Sequence, residues 1–358
     1  MIGLRAPGRV NLIGDHTDYN DGFCLPLAID RECVVAGSPR TDGRVTLRSR
    51  ELPGAVDLAA DGSDDSAEVE PAWGRFAAGV LRALADRGRE PMGFEGTVTS
   101  SVPTGAGLSS SSALSVALTL ALAEAAGLEL PDRREVARTA LDAEVRATGV
   151  PGGLMDQLAS LFGVADHALL LDCRSLEVTP VALPRSHAVL VVHSGVARTL
   201  AGSAYAERRA ACEAAAARIG VAALRDATPE QVGDDPFARH VVAENQRVLD
   251  FARALEAGDV NALGPLLLAS HASLRDDYAV STPELDVLVD LLVDHGAIGA
   301  RLTGAGFGGC VVAMVQRNHA DDCAAKTVAA YGERTGLEGH AFVVRAVDGA
   351  GPVPEEAP

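Results

Sequence analysis

Positions 9–14, 22–36 and 44–50 alternate between apolar and polar or run apolar, as strands do, with a turn at Thr41-Asp42-Gly43. An acidic stretch with Gly and Ser, 57–71, predicts a loop. From 71 to 87 the period lengthens to a helix, placing Trp73, Phe76, Val80, Leu81 and Leu84 on one side. A strand over 94–102 leads through a Gly/Ser turn into an Ala/Leu helix at 111–126. A second helix, 131–147, is stopped by Gly149 and Pro151. The second half begins with strands at 168–171 and 188–193, then helices at 203–219, 239–257, 261–270 and 283–295. Strands at 298–302 and 309–315 flank a glycine cluster, and a helix at 320–331 and a strand at 340–345 close the chain. Strands and helices mixed in both halves predict an α+β protein of two domains, 1–165 and 166–347, with a cleft between them. The Pro/Gly/Glu-rich end, 348–358, is expected to be a flexible tail.

Composition narrows the partners. The 358 residues are 47% hydrophobic and 22% charged, enough for a packed core and against disorder. Lys+Arg 31 against Asp+Glu 49 gives a net charge of −18, which repels phosphate backbones and anionic membranes. Neither a nucleic-acid nor a membrane partner is expected. An anionic ligand must be held locally, by backbone N–H groups, a few arginines or a metal ion. Lys326 is the only lysine. The start, MIGLRAPGRV, lacks the apolar core of a signal peptide, and no apolar stretch is long enough to span a bilayer, so a cytoplasmic protein is expected. Six scattered cysteines without a C-x-x-C pair predict reduced core thiols rather than disulfides or zinc.

Three glycine-rich clusters carry candidate chemistry. Residues 304–311, Gly-Ala-Gly-Phe-Gly-Gly-Cys-Val, match G-x-G-x-x-G, yet they run into a strand where a dinucleotide turn needs a helix. A protein-kinase loop is excluded too, because the catalytic lysine, H-R-D and D-F-G are missing. A structural hairpin or a close backbone approach to another segment remains. Residues 103–113, Pro-Thr-Gly-Ala-Gly-Leu-Ser-Ser-Ser-Ser-Ala, lie between a strand and a long helix, where N–H groups and the helix dipole favour an anion. With no lysine nearby this is not a Walker loop. It reads as a lysine-free phosphate cradle or as a serine-rich helix cap. Residues 9–22 bring Arg9, Asp15, His16 and Asp18 together, a costly group unless it binds a polar ligand. A polar turn accounts for Asn20-Asp21-Gly22 but poorly for Asp15-His16-Thr17-Asp18.

These clusters, in this order, resemble the GHMP small-molecule kinases, and the first stretch is close to the galactokinase signature. Gly149-Val150-Pro151-Gly152-Gly153-Leu154-Met155-Asp156-Gln157, the run 171–176, Tyr205-Ala206-Glu207-Arg208-Arg209, and His271 with 273–278 are similar to galactokinase segments. The resemblance covers roughly 5–345. It implies two α+β GHMP kinase domains with the active site in the inter-domain cleft. It implies an ATP- and Mg²⁺-dependent sugar 1-kinase that converts galactose to galactose 1-phosphate.

Residue by residue, the resemblance assigns Asp156 as the carboxylate facing the C1 hydroxyl and Arg9 as its partner. Asp15, His16, Asp18, Gly153 and Tyr205 fall at sugar-contacting positions. Gly105, Gly107, Leu108, Ser109, Ser110, Ser111 and Ser112 fall in the ATP cradle, with Trp73 either near the adenine or a core or inter-domain anchor. Ser111 and Glu144 match the Mg²⁺ ligands. Three departures stand out. Asp15 replaces the usual glutamate and draws the carboxylate back by about 1.5 Å, which puts C6 selectivity in question. Gly152 replaces a cysteine, and the motif begins almost at Met1, so an outer helix or strand of the family is expected to be missing. Two other readings stay open: a 1-kinase for an N-acetylated or C6-altered hexose, and a catalytically silent sugar- and ATP-binding regulator. The presence of Arg9, Asp156, Ser111 and Glu144 favours an enzyme.

Overall fold

The structure, a computed structural model, describes residues 1–103, 105–196 and 201–354. Thr104 of the second glycine cluster and 355–358 of the expected tail lie outside the described residues. The first half forms strands β1 (Ile2–Asn11), β2 (Phe23–Cys24), β3 (Pro26–Arg40), β4 (Arg44–Ser49) and β5 (Ala55–Ala59). Helix α1 (Gly74–Ala85), strand β6 (Gly93–Ser100) and helices α2 (Ser110–Ala125), α3 (Arg133–Thr148) and α4 (Met155–Phe162) follow. Strand β5 overlaps the start of the stretch expected to be a loop. Its two apolar residues are too few to signal a strand alone, but Val56 pairs with Leu47 and Leu58 with Val45 across the ladder. All four side chains join one core. Helix α4 was not expected either, because eight residues after Gly149–Gly153 are too short a run to show a period.

Next come β7 (His167–Asp172), β8 (Glu177–Ala182) and β9 (His187–His193). Helices α5 (Ala201–Ile219), α6 (Pro229–Val232), α7 (Pro236–Ala257), α8 (Val260–Asp276) and α9 (Pro283–Asp294) form the helical part of the second half. The chain finishes with β10 (Ala297–Thr303), β11 (Cys310–Gln316), α10 (Ala320–Thr335), β12 (His340–Val344) and β13 (Gly351–Pro352). Local chemistry sets several of these limits. Asp235 caps α7 by accepting from the N–H groups of Phe237 and Ala238, and Gly258, at φ 68°, ends it. Helix α8 runs on to Asp276, past the expected end at 270.

Two main sheets result, a six-stranded one in the order β13-β1-β3-β6-β4-β5 and a four-stranded one in the order β10-β11-β9-β12. Helix α2 lies on β1 and β3 beside α1, α3 and α4. The central strands of the second sheet are buried on both faces. Along β9, Val189 and Val191 face the first core while Leu190 and Val192 face the second. Strand β11 divides its side chains in the same way, which is why both read as unbroken apolar runs.

The expected boundary at 165/166 is crossed by a third sheet. Strand β2 of the first half pairs with β7, and β7 with β8, so 167–182 builds onto the first core and not the second. The expected tail is also docked over 348–353. Gly351 and Pro352 pair with Arg5 and Leu4, Ala350 N–H donates to Ser160 O at 2.8 Å, and Val353 N–H donates to Gly3 O at 2.9 Å. Among the described residues, no helix is long and apolar enough to cross a membrane.

Deleting 348–358 strips hydrogen-bond partners from β1 and from the end of α4. The melting temperature is expected to fall by several degrees, about 1 kcal/mol for each backbone group left unpaired. A truncated chain melting within about 1 °C of the full one would show that this docking adds nothing to stability.

Candidate active site

A cleft of about 760 Å³ opens where the start of α2, the start of α4, the turn after β1 and the glycine cluster before β11 meet. Gly105, Gly107 and Ser109–Ser112 line one wall. Gly107 holds φ 79°, a left-handed value that a side chain disfavours. Ser109, at φ 58°, occupies the N-cap position of α2 yet makes no side-chain cap. The reading of these serines as a helix cap therefore fails. The first-turn N–H groups of a sixteen-residue helix face the cleft without a capping side chain, which is how helix N-termini bind phosphate.

Ser109 spends its hydroxyl on catalytic-looking company instead. It donates to Asp156 Oδ2 at 2.5 Å. Arg9 grips the same carboxylate with two parallel hydrogen bonds, Nε to Oδ1 and Nη2 to Oδ2, each 2.8 Å, and its Nη1 donates to Gly107 O at 2.7 Å. Arg9 comes from β1 and Asp156 from the first turn of α4, where the helix dipole favours a negative charge. The bidentate geometry fixes the orientation of the carboxylate as well as its charge.

Glu144 of α3 forms a second oxygen centre. Ser111 Oγ donates to its Oε1 at 2.5 Å, and Ser112 Oγ and Gln157 Nε2 donate to Oε2 at 2.8 and 2.9 Å. All three partners are neutral, and burial pushes Glu144 above the usual carboxylate range. A buried, under-compensated carboxylate beside a hydroxyl at the phosphate end is a hard-oxygen donor set. It fits Mg²⁺, which takes one or two protein ligands and fills its shell with phosphate and water.

The opposite wall is the turn after β1, carrying Asp15, His16 and Asp18. Asp15 is 2% exposed, and its Oδ2 lies 2.6 Å from Nη2 of the wholly buried Arg301 on β10. Neither of those two atoms makes a directed hydrogen bond, so charge holds the contact. Asp15 Oδ1 accepts the Gly304 N–H at 3.1 Å, and Cys310 Sγ donates to Ala106 O at 2.9 Å. The cluster at 304–311 is thus a close backbone approach, joining the turn after β1 to the cradle. His16, at φ 66°, is kept neutral: burial and nearby His240 pull it down to about 3. Its Nδ1 pairs with Tyr19 Oη at 2.9 Å, while Nε2 has no hydrogen-bond partner among the described residues. Tyr205 packs tilted against His16 and edge-on against Tyr19, with ring centroids at 5.7 and 5.1 Å. At Gly153 a Cβ would lie 1.9 Å from Asp18 Oδ2, so only glycine fits beside that carboxylate.

Family models match along the chain: the galactokinase galactose-binding signature at 2–39, the GHMP kinases N terminal domain at 75–164 and the GHMP kinases C terminal at 251–333. A galactokinase from Roseiflexus sp. (strain RS-1) is 46% identical over 369 residues, spanning 99% of this chain and 93% of that protein. The chain belongs to the galactokinase family of GHMP kinases. The crystal structure of Lactococcus lactis galactokinase complexed with galactose superposes with a TM-score of 0.92 at 32% identity, covering 98% of this chain and 95% of that one. Methanococcus jannaschii mevalonate kinase, at 18% identity and a TM-score of 0.69 over 97% of this chain and 98% of its own, shares the fold.

Of the galactokinase-type positions expected from sequence, the cleft is lined by Arg9, Asp15, His16, Asp18, Gly105, Gly107, Ser109–Ser112, Glu144, Gly153, Asp156 and Tyr205. Two expected nucleotide contacts lie elsewhere. Trp73 is 8% exposed, with its indole N–H on Pro53 O at 3.3 Å, and Phe76, one turn along α1, faces the cleft in its place. Leu108 is buried in the core, and its carbonyl accepts the Arg9 N–H at 3.2 Å. Sequence reasoning missed Gln157 and Arg301. Gln157 stood in a quoted motif next to Asp156, but Arg301 sits in an apolar strand and carried no local signal.

Four carboxylates line this cleft, those of Asp15, Asp18, Glu144 and Asp156. Burial first, then the negative charges of Asp156 and Asp15, push Asp18 up to about 7. The folded chain therefore holds a proton that the unfolded chain releases near pH 4, so stability falls as pH rises between those values. Asp18→Asn removes this term. Its melting temperature is expected to exceed that of the wild type by a margin that grows from about pH 4 to about pH 7 and then levels off. A margin independent of pH would overturn the assignment.

Proposed function

We propose that the protein transfers the γ-phosphoryl group of ATP to the anomeric hydroxyl of galactose, forming galactose 1-phosphate. The observation that carries this reading is the Asp156 carboxylate, held by Arg9 and Ser109 between the cradle and the turn after β1. A hydroxyl placed against Asp156 meets an oriented acceptor for its proton, with Arg9, 5% exposed, bridging both carboxylate oxygens. Phosphoryl transfer needs in-line placement and charge stabilisation more than covalent help. The N-terminus of α2 and the N–H groups of the Gly105–Ser109 loop supply that stabilisation without lysine.

Ser111 and Glu144 would hold Mg²⁺, which when bound neutralises charge across the β- and γ-phosphates. Asp15, His16 and Asp18 line the cleft and offer two carboxyl groups and a neutral imidazole to sugar hydroxyls. Tyr205 walls the same end. Phe76 and Leu141 give the cleft apolar surface on the side of α1 and α3, suited to a nucleoside base.

An ADP-release assay with ATP, Mg²⁺ and a panel of galactose, glucose, 2-deoxygalactose, N-acetylgalactosamine, galacturonate and fucose tests the reading directly. Galactose is expected to dominate, and ATP binding without turnover of any sugar would revive the silent regulator. Asp156→Ala is expected to abolish turnover while leaving ATP affinity within about twofold; an equal loss of nucleotide affinity would point to a folding defect.

A specific observation favours a broader substrate range as the second reading. The short Asp15 side chain is held by Arg301 and the Gly304 N–H, so its carboxylate reaches less far into the cleft than that of a glutamate would. Hexoses altered at C6 are therefore expected to be accepted better than by Asp15→Glu, measured as the ratio of kcat/KM for 6-substituted galactose to that for galactose. An unchanged ratio would remove Asp15 as the determinant.

A further inference from the structure

The turn from Gly14 to Phe23 presents Asp15, His16 and Asp18 to the cleft, yet little in its own half of the chain holds it there. Two of its non-glycine residues, His16 and Asp21, sit in left-handed conformations, at φ 66° and 58°. Thr17 Oγ1 reaches Gly14 O and Phe23 O, and Asn20 Nδ2 reaches His16 O, which closes the turn on itself without fixing it in space. Arg301 pairs with Asp15, Arg225 Nη1 donates to Asp21 O and the Cys173 N–H to Gly22 O, and one helix of the other half, α7, holds the backbone at both ends. Glu244 of α7, wholly buried, accepts the Gly14 N–H on Oε1 at 2.9 Å. Asn245 Oδ1 accepts the Phe23 N–H at 2.8 Å, at the far end of the turn. His240, one turn earlier in α7, places Nε2 3.2 Å from the Asp15 carbonyl oxygen.

Glu244 is itself held rigidly. Ser270 Oγ donates to Oε1 at 2.5 Å and Arg247 Nε to Oε2 at 2.6 Å. Although burial pushes it upward, Arg247, His240 and Arg301 bring it down to about 2, so it is a permanent anion. His240 is neutral, brought down to about 4 by burial, and Ser273 Oγ lies 2.9 Å from its Nδ1. The Asp15 carbonyl oxygen can only accept, so Nε2 carries the proton and donates to it, while the Ser273 hydroxyl lies between Nδ1 and Asp277 Oδ2. These residues lie at 240–245, outside the segments that the family models match.

We infer that Glu244, assisted by His240 and Asn245, is the positioning residue of the sugar subsite. Glu244 holds the Gly14 end and Asn245 the Phe23 end of the turn, so that the groups between them face the sugar, while neither residue touches the walls of the ATP cradle. The inference rests on the kinase reading above.

The test is steady-state kinetics of the full chain and of Glu244→Gln, His240→Leu and His240→Gln, with sugar and ATP varied separately. An amide at 244 brings an N–H against groups that already donate, so the galactose KM is expected to rise about tenfold or more while the ATP KM stays within about twofold. His240→Leu is expected to shift the galactose KM in the same selective way. His240→Gln retains a donor for the Asp15 carbonyl and is expected to stay near wild type. Should Glu244→Gln fail to fold, the two His240 variants decide alone. Parallel changes in both KM values, no change in either, or equal effects of Leu and Gln at 240 would overturn the inference. A wild-type chain that phosphorylates no hexose overturns the kinase reading and this inference with it; wild-type turnover combined with any of those patterns overturns this inference alone.

Discussion

The contact on which the site depends is the buried ion pair between Asp15 of the first half and Arg301 of the second. Both side chains are essentially inaccessible to water, and such a pair stabilises only when its remaining hydrogen-bonding groups are met. That condition is met only in part: Arg301 Nη1 meets the carbonyls of Leu12 and Asn11 at 3.2 and 3.4 Å and Asp15 Oδ1 takes the Gly304 N–H, while Arg301 Nε makes no hydrogen bond among the described residues. Removing either partner would strand a charge in the core at a cost of about 3–5 kcal/mol. The pair thus ties the end of β1 to β10 and to the glycine cluster that follows, and both walls of the cleft are located by it.

The second constraint is electrostatic. A chain of net charge −18 must receive a triphosphate beside Asp18, Asp156 and Glu144 with only Arg9 lining the cleft as a cation among the described residues. Arg9 is already committed to Asp156. Attraction for phosphate therefore falls to oriented backbone dipoles, which need neither desolvation nor rearrangement when the ligand arrives. This explains why Ser109 leaves the α2 cap open and turns its hydroxyl to Asp156: a side-chain cap would occupy the N–H groups that the phosphates require.

Burial of the second sheet on both faces makes the two halves one continuous body around the cleft. Strands β9 and β11 each send alternate side chains into different cores, so neither core closes without the other. The pairing of β2 with β7 and the return of β13 to β1 cross the join again. A cleft framed in this way keeps its walls in register, which transfer between two bound molecules demands.

Much of this was legible in the chain. The long helices, strands β3, β4 and β6 of the first sheet and the three glycine clusters follow from periodicity and from the few residues that tolerate left-handed backbone. Arg9, Asp156, Glu144 and the serines could be named because chemically costly residues stood together in motifs that resemble one family. What the sequence could not determine was anything whose signal lies in a distant partner. Strand β5 exists because Val45 and Leu47 wait opposite Val56 and Leu58, and 348–353 is ordered because β1 offers a free edge. Trp73 and Phe76 share a helical face in the sequence, and only packing decides that Phe76 meets the cleft. Arg301, Glu244 and His240 look like ordinary residues of a strand and a helix. Their role arises because folding carries them roughly 220 to 290 positions along the chain to the turn after β1, where burial makes an unpaired charge or N–H costly and so gives each contact its strength.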